Sequence, residues 1–322
     1  MAYIAANLHR HEYAKKPALQ IGSTTLHWLG GSGKPILFVP SHINRGYILA
    51  VDKNNSLAYQ LVNAGYATYI LEWNSPDDVE MHFNLQEYIT ERLLPAMQYI
   101  QAKHGKMVVA GYCMGGLLAL ASAQLYPDMV AGLVTIATPF DFNQRRFPYV
   151  APNADSIANL NESITAQPIS SAAIHMMMQM PQVYNTNRKL IALGRKLIAS
   201  DTNPISIDKV FTTVETWAVD GIDMSWPVFK SCVQDWLQEN APYRKSWVIS
   251  GQVINPAIVP APSFSAIALD DDIVPFSSAL PLSSALPNNK LVYKQTGHLG
   301  LILSRKAGVG PELLTWLRSA LL

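Results

Sequence analysis

Cysteine is nearly missing from this chain: 322 residues contain only Cys113 and Cys232. That argues against a disulfide framework, and a reducing, cytoplasmic compartment is the expectation. Charge is also sparse. Only 15% of residues are Asp, Glu, Lys or Arg, and 24 basic against 23 acidic side chains leave a formal net charge of +1. With no basic block, nucleic acid is not an expected partner, and with no acidic tail a disordered solvating region is not expected either. No stretch reaches the roughly 18 uncharged apolar residues that would suggest a membrane span. Residues 1–17 lack an apolar segment long enough for a signal peptide. Histidine and cysteine never cluster at zinc spacing, and no phosphate-cradling Gly-x-x-x-x-Gly-Lys-Ser/Thr occurs, so neither a metal nor another cofactor is expected. Gly30-Gly31-Ser32-Gly33 separates two strand candidates without opening a helix, and reads as a turn.

What is present is apolar: 49% of the residues, ample for a large core. Strand candidates are Thr24–Leu29, Pro35–Val39, Ala67–Trp73, Lys106–Gly111 and Gly132–Ala137. Between them lie helix candidates at Ser56–Ala64, Leu85–His104 and Leu117–Ala123. This alternation predicts a mostly parallel α/β sheet with helices on both faces. From about Phe140 strand signals fade until Lys245. Residues 143–244 read as a helical cap inserted between a first core part, 1–142, and a second, 245–322. The cap includes a Met-rich stretch, Ser170–Met180, and a basic one, Asn187–Leu197. Strands return at Ser265–Leu269 and Lys290–Gln295, and Pro311–Leu321 closes the chain as a helix.

Chemistry concentrates at Met107–Gly116. An apolar run ends in Gly-Tyr-Cys-Met-Gly-Gly and a helix-forming run follows at once. Strand, sharp turn and helix in this order form a nucleophile elbow, here presenting the sulfur of Cys113. The turn leaves little room for side chains, hence Gly111 and Gly115, and frees the Met114 N–H to face a developing oxyanion. A thiol nucleophile needs a base, and the base an orienting acid. In α/β-hydrolase folds both follow the nucleophile, on loops after late strands. Asp270-Asp271-Asp272 follows one late strand and Gly297-His298 the next. His298 is the expected base. The acid is ambiguous by one position within the triplet, with Asp271 preferred by register. His42, after the strand Pro35–Val39 where a second oxyanion donor belongs, reads as a pocket wall rather than a base. Cys232 reads as a packing residue of a cap helix. The methionines 176, 177, 178 and 180 fit core filling better than a substrate surface.

On these residues the chain resembles the catalytic domain of poly(3-hydroxyalkanoate) synthases. The likeness is carried by Pro35–Leu49, Asn55-Ser56, Glu72-Trp73-Asn74-Ser75-Pro76 and Gly111–Gly116. It continues through Trp217–Met224, Asp271-x-Ile-Val-Pro and Gly297-His298, so that it spans roughly Pro35 to Ser304. It implies a cysteine-dependent acyltransferase acting on 3-hydroxyacyl-CoA, in a short form without the large N-terminal domain. Cys113 would hold the acyl chain, His298 deprotonate it and Asp271 support His298. The backbone of Met114 and of Ser41–Ile43 would bind the oxyanion, and Tyr47, His42 and Trp217 would wall the pocket. The resemblance also implies a polyester granule surface or a separate synthase subunit as partner, and a homodimer formed through the cap.

The chain departs from the family at Ala218, where the synthases have asparagine beside the tryptophan. It departs again after His298, in Leu-Gly-Leu-Ile-Leu-Ser. Two other functions therefore stand beside acyl transfer: a thioesterase or polyester depolymerase on the same scaffold, and a non-catalytic, granule-associated accessory protein.

Overall fold

The computed structural model describes Tyr13 and residues 16–54, 56–144, 167–177, 213–214 and 216–320. The stretch Asn187–Leu197, Met178, Met180 and most of the expected cap lie outside the described residues. Within the cap's span, Ser171–Met177 and Trp226–Ser231 are helical.

Eight strands form one sheet: β1 (Leu19–Ile21), β2 (Thr24–Gly30), β3 (Pro35–Val39), β4 (Ala67–Glu72), β5 (Met107–Tyr112), β6 (Val130–Ile136), β9 (Ser263–Ala268) and β10 (Asn289–Lys294). A separate hairpin pairs β7 (Val248–Ile249) with β8 (Gln252–Val253). The order across the sheet is β1-β2-β4-β3-β5-β6-β9-β10. From β4 to β10 every pairing is parallel, while β1 and β2 run antiparallel at one edge. Every residue of β3, β4, β5 and β9 is buried. A parallel strand covered on both faces must be apolar on both, so these segments read as continuous runs rather than alternating ones. Separate apolar clusters lie on the two faces, one around Leu37, Val109 and Leu120, the other around Phe38, Ala110 and Trp316.

The chain enters the sheet centre at β3, steps to β4 on one side, then crosses back to β5 on the other. The β3 and β5 ends therefore flank the point where strand order reverses, where open α/β sheets form their clefts. The crossover helix is interrupted. Leu85–Tyr88 and Leu94–His104 are joined by a π-helical turn, Ile89–Leu93. Pro95 has no N–H to give the Glu91 carbonyl four residues back. The Arg92 guanidinium donates to that carbonyl at 2.8 Å and also pairs with buried Glu80.

Backbone packing is close just after β5. A Cβ on Gly115 would fall 2.2 Å from the Val39 carbonyl oxygen, one on Gly111 2.3 Å from the Gly116 Cα, and one on Gly116 1.9 Å from Thr138 Oγ1. The Gly115 obstacle is backbone and cannot swing aside. Gly115→Ala should therefore cost at least about 3 kcal/mol in urea unfolding. Gly105→Ala, with open space around it, meets only the backbone strain of φ +80° and ψ −157° and should cost about 1–3 kcal/mol.

Candidate active site

Cys113 follows β5 directly and opens onto the helix Gly115–Leu125. Its φ is +55°, a left-handed conformation that a non-glycine residue adopts at a cost of roughly 1–2 kcal/mol. Hydrogen bonds from the Cys113 N–H to the Ile136 carbonyl and from the Gly116 N–H to the Cys113 carbonyl, both 2.9 Å, hold it there. The side chain is half-buried and meets the apolar clusters of both sheet faces and a third around Ile267 and Val274. Met114 caps the helix, so the positive end of the helix dipole lies beside the sulfur.

The structure brings His298 and Asp271 together. His298 Nδ1 lies 2.7 Å from Asp271 Oδ2, with both residues buried. Asp271 Oδ1 accepts the N–H groups of Ile273 and Val274 at 2.8 and 2.9 Å, which fixes the carboxylate in its turn. Tyr112 lies against the His298 ring at 4.9 Å and donates its hydroxyl to the His298 carbonyl at 3.4 Å. Burial alone would discharge this imidazole. The Asp271 carboxylate and the Cys113 sulfur oppose that by charge and hydrogen bonding, and lift its pKa to about 10. Asp270 is exposed and takes both its hydrogen bonds from the Gln295 amide, so it faces away from the histidine.

The loop after β3 runs beside this group. Ser41 Oγ accepts the Ile43 N–H at 3.2 Å, which occupies one of the three expected backbone donors. His42 is sandwiched, stacked on Trp73 at 4.3 Å with the edge of Tyr88 at 4.4 Å. With no charge beside it, burial drives its pKa down to about 3 and keeps it neutral. Tyr47 and Trp217 are buried among the β3–β5 face residues, and the Trp217 indole donates to the Arg45 carbonyl at 2.7 Å. Trp217 thus ties two segments together. Cys232 is buried among Val233, Trp236 and Leu237, where burial pushes its thiol well up.

Sequence reasoning passed over a second buried charged group. Glu72, at the end of β4, faces Arg45 and Asp220. Burial raises its carboxyl to about 7 against hydrogen bonds from the Gly46 N–H and the Tyr13 hydroxyl and the charge of Arg45. The available signal was a carboxylate ending an otherwise uncharged, continuously buried strand. Among the described residues no group of His, Cys, Asp or Glu is arranged to hold a metal ion, and no helix is long and apolar enough to cross a membrane.

A family model described as alpha/beta hydrolase fold matches residues 51–304. The chain belongs to that family. Its similarity to poly(3-hydroxyalkanoate) synthases extends over most of its length. The curated Poly(3-hydroxyalkanoate) polymerase subunit PhaC of Allochromatium vinosum is 27% identical over 296 residues, covering 88% of this chain and 80% of the relative. The subunit of the same name from Haloferax mediterranei is 24% identical over 298 residues, covering 88% of this chain and 58% of the relative. A solved thermophilic esterase from Thermogutta terrifontis matches with a TM-score of 0.57 at 16% identity, over 95% of this chain and 97% of that one, a likeness of fold alone.

The raised pKa of His298 has a consequence for stability. Folding holds a proton that an unfolded histidine would release near pH 6.5. The stabilisation should be complete below about pH 6.5 and fall away as pH rises toward about 10. Urea midpoints of the wild type should decline across that window, and those of His298→Gln should decline measurably less.

Proposed function

We propose that the protein is a poly(3-hydroxyalkanoate) synthase-like acyltransferase that uses Cys113, His298 and Asp271 on 3-hydroxyacyl-CoA thioesters. The observation carrying this reading is the buried His298 imidazole, hydrogen-bonded to Asp271 at 2.7 Å, with the Cys113 sulfur close enough to help raise its pKa. The similarity of 88% of the chain to polymerase subunits supports the choice of substrate.

The chemistry follows from that arrangement. His298 holds the proton that Cys113 gives up to become the nucleophile, and Asp271 holds its tautomer and stabilises the imidazolium. The Cys113 thiolate attacks the thioester carbonyl. The oxyanion is met by the Met114 N–H at the helix start and by backbone of the loop Ser41–His42–Ile43, where the Ile43 N–H is already engaged by Ser41. The tetrahedral intermediate expels the CoA thiolate, which takes the proton from His298 and leaves an acyl-cysteine. Exchange of one thioester for another is close to neutral in energy, which suits a thiol nucleophile. The 3-hydroxyl of the next acyl-CoA then attacks the acyl-cysteine, giving its proton to His298; the C–S bond breaks, the ester forms, and the Cys113 sulfur leaves as the thiolate, free to attack again. The three apolar clusters packed against Cys113 disfavour water as the competing nucleophile.

Incubation with 3-hydroxybutyryl-CoA should release CoA and accumulate an insoluble polyester. Cys113→Ala should lower CoA release by at least about 10³-fold and Asp271→Asn by roughly 100-fold or more, whereas Asp270→Asn should stay within about threefold of wild type. Cys113→Ser should lose most activity, because an alkoxide is a poor partner for thioester exchange. Free 3-hydroxy acid as the sole product would overturn polymerisation in favour of hydrolysis. Intact substrate after prolonged incubation would favour an accessory role.

A further inference from the structure

The buried charges at the end of β4 have no part in the reaction above, yet they hold the loop that does. Glu72 Oε1 accepts the Gly46 N–H at 3.0 Å and Oε2 accepts the Tyr13 hydroxyl at 2.8 Å. Arg45 is 8% exposed. Its Nη1 donates to the Trp73 carbonyl at 3.1 Å and to Asn74 Oδ1 at 2.6 Å, and its Nε lies 3.7 Å from Asp220 Oδ1. Gly46 is pressed against the strand: a Cβ there would fall 2.8 Å from the Leu71 carbonyl oxygen.

The same residues bond to a segment far away in sequence. The Ile222 N–H donates to the Ile43 carbonyl at 3.0 Å, and Asn44 forms an isolated β-bridge with Gly221. The Asn44 amide donates to the Trp217 carbonyl at 3.3 Å, and the Trp217 indole to the Arg45 carbonyl at 2.7 Å. Each residue from Ile43 to Gly46 is thus bonded to the end of β4, to residues 217–222, or to both.

A buried carboxylate is costly to desolvate, and a carboxylate–arginine pair is weak evidence for stability by itself. Here one carboxylate oxygen is bonded instead to the backbone of the loop that carries the oxyanion donors, through the Gly46 N–H. We propose that Glu72 is a positioning residue: with Arg45 and Asp220 it fixes the Ser41–Gly46 loop in its oxyanion-binding form and locks it to residues 217–222, so that the two segments open and close as one. The oxyanion role rests on the acyl-transfer reading, whereas the locking of the two segments does not.

Two measurements on the full chain test this. Native-state hydrogen exchange of Glu72→Ala should rise at least about fivefold in peptides covering 41–50 and 216–224 together, with 107–112 unchanged. Asp220→Asn should give the same joint pattern, and carries this test should Glu72→Ala not fold. A rise confined to 41–50 would overturn the proposal. For turnover, 3-hydroxybutyryl-CoA and a p-nitrophenyl ester serve as parallel substrates. Glu72→Ala should lose about tenfold or more in kcat with KM within threefold, the signature of an interaction felt in the transition state. Glu72→Gln, which keeps an acceptor for the Gly46 N–H, should recover most of that loss. An unchanged kcat in folded Glu72→Ala, or a Glu72→Gln variant no better than the alanine, would overturn it. Wild-type turnover of the ester but not the thioester would remove the acyl-transfer reading and leave Glu72 to be judged on the ester.

Discussion

The structure turns on a backbone contact: the helix after β5 starts so close to the ends of β3 and β6 that positions 111, 115 and 116 have no room for a Cβ. That contact forces Cys113 into a left-handed conformation. The conformational cost is of order 1–2 kcal/mol. It is offset by what the turn allows, namely a buried strand and a buried helix meeting without a loop between them. The sulfur is thereby placed where three apolar clusters converge, beside the reversal of strand order.

The two buried histidines near the β3 and β5 ends show how little the residue type decides. His42 and His298 are exposed to nearly the same degree, 5% and 4%. His42 has aromatic rings around it, and desolvation takes its pKa to about 3. His298 has a carboxylate at 2.7 Å and the Cys113 sulfur, and its pKa goes to about 10. Burial penalises both cations alike, so the difference comes from the neighbours. Asp271 is held in place for this because the Ile273 and Val274 N–H groups bind its other oxygen and aim the carboxylate at the imidazole.

Much of this was legible in the residues. Strands buried on both faces announce themselves as apolar runs, and β3 falls on the expected Pro35–Val39 without a residue of error. The three-residue β1 was missed because so short a segment carries no period. The Leu85–His104 helix was read as continuous; its π turn depends on Pro95 and on the Arg92 side chain reaching back, which no helical period records. The aspartate triplet could not be resolved by composition, since all three side chains are alike. Backbone geometry separates exposed Asp270, held by Gln295, from Asp271, which faces the imidazole. Glu72 was seen as a point of family likeness and its partners were not, because Arg45 and Asp220 come from segments 175 residues apart by number.

That separation carries the last step of the argument. The elbow and the β3 loop both lie within residues 35–116. The segment that bonds to the loop comes from residues 217–222, and the paired carboxylate and imidazole from 271 and 298. Neither pairing is local, and each closes a long stretch of chain before any favourable contact repays the lost entropy. The part of the sheet from β1 to β6, contiguous in strand order, can therefore be largely formed while the site is still incomplete. A readout at Cys113 or at the Ser41–Gly46 loop reports on the docking of the late chain, whereas a global unfolding midpoint is dominated by the buried strands β3 to β9. The two kinds of measurement should separate in variants of Asp220 or Glu72 and coincide in variants of the elbow glycines, because only the glycines belong to both the core and the site.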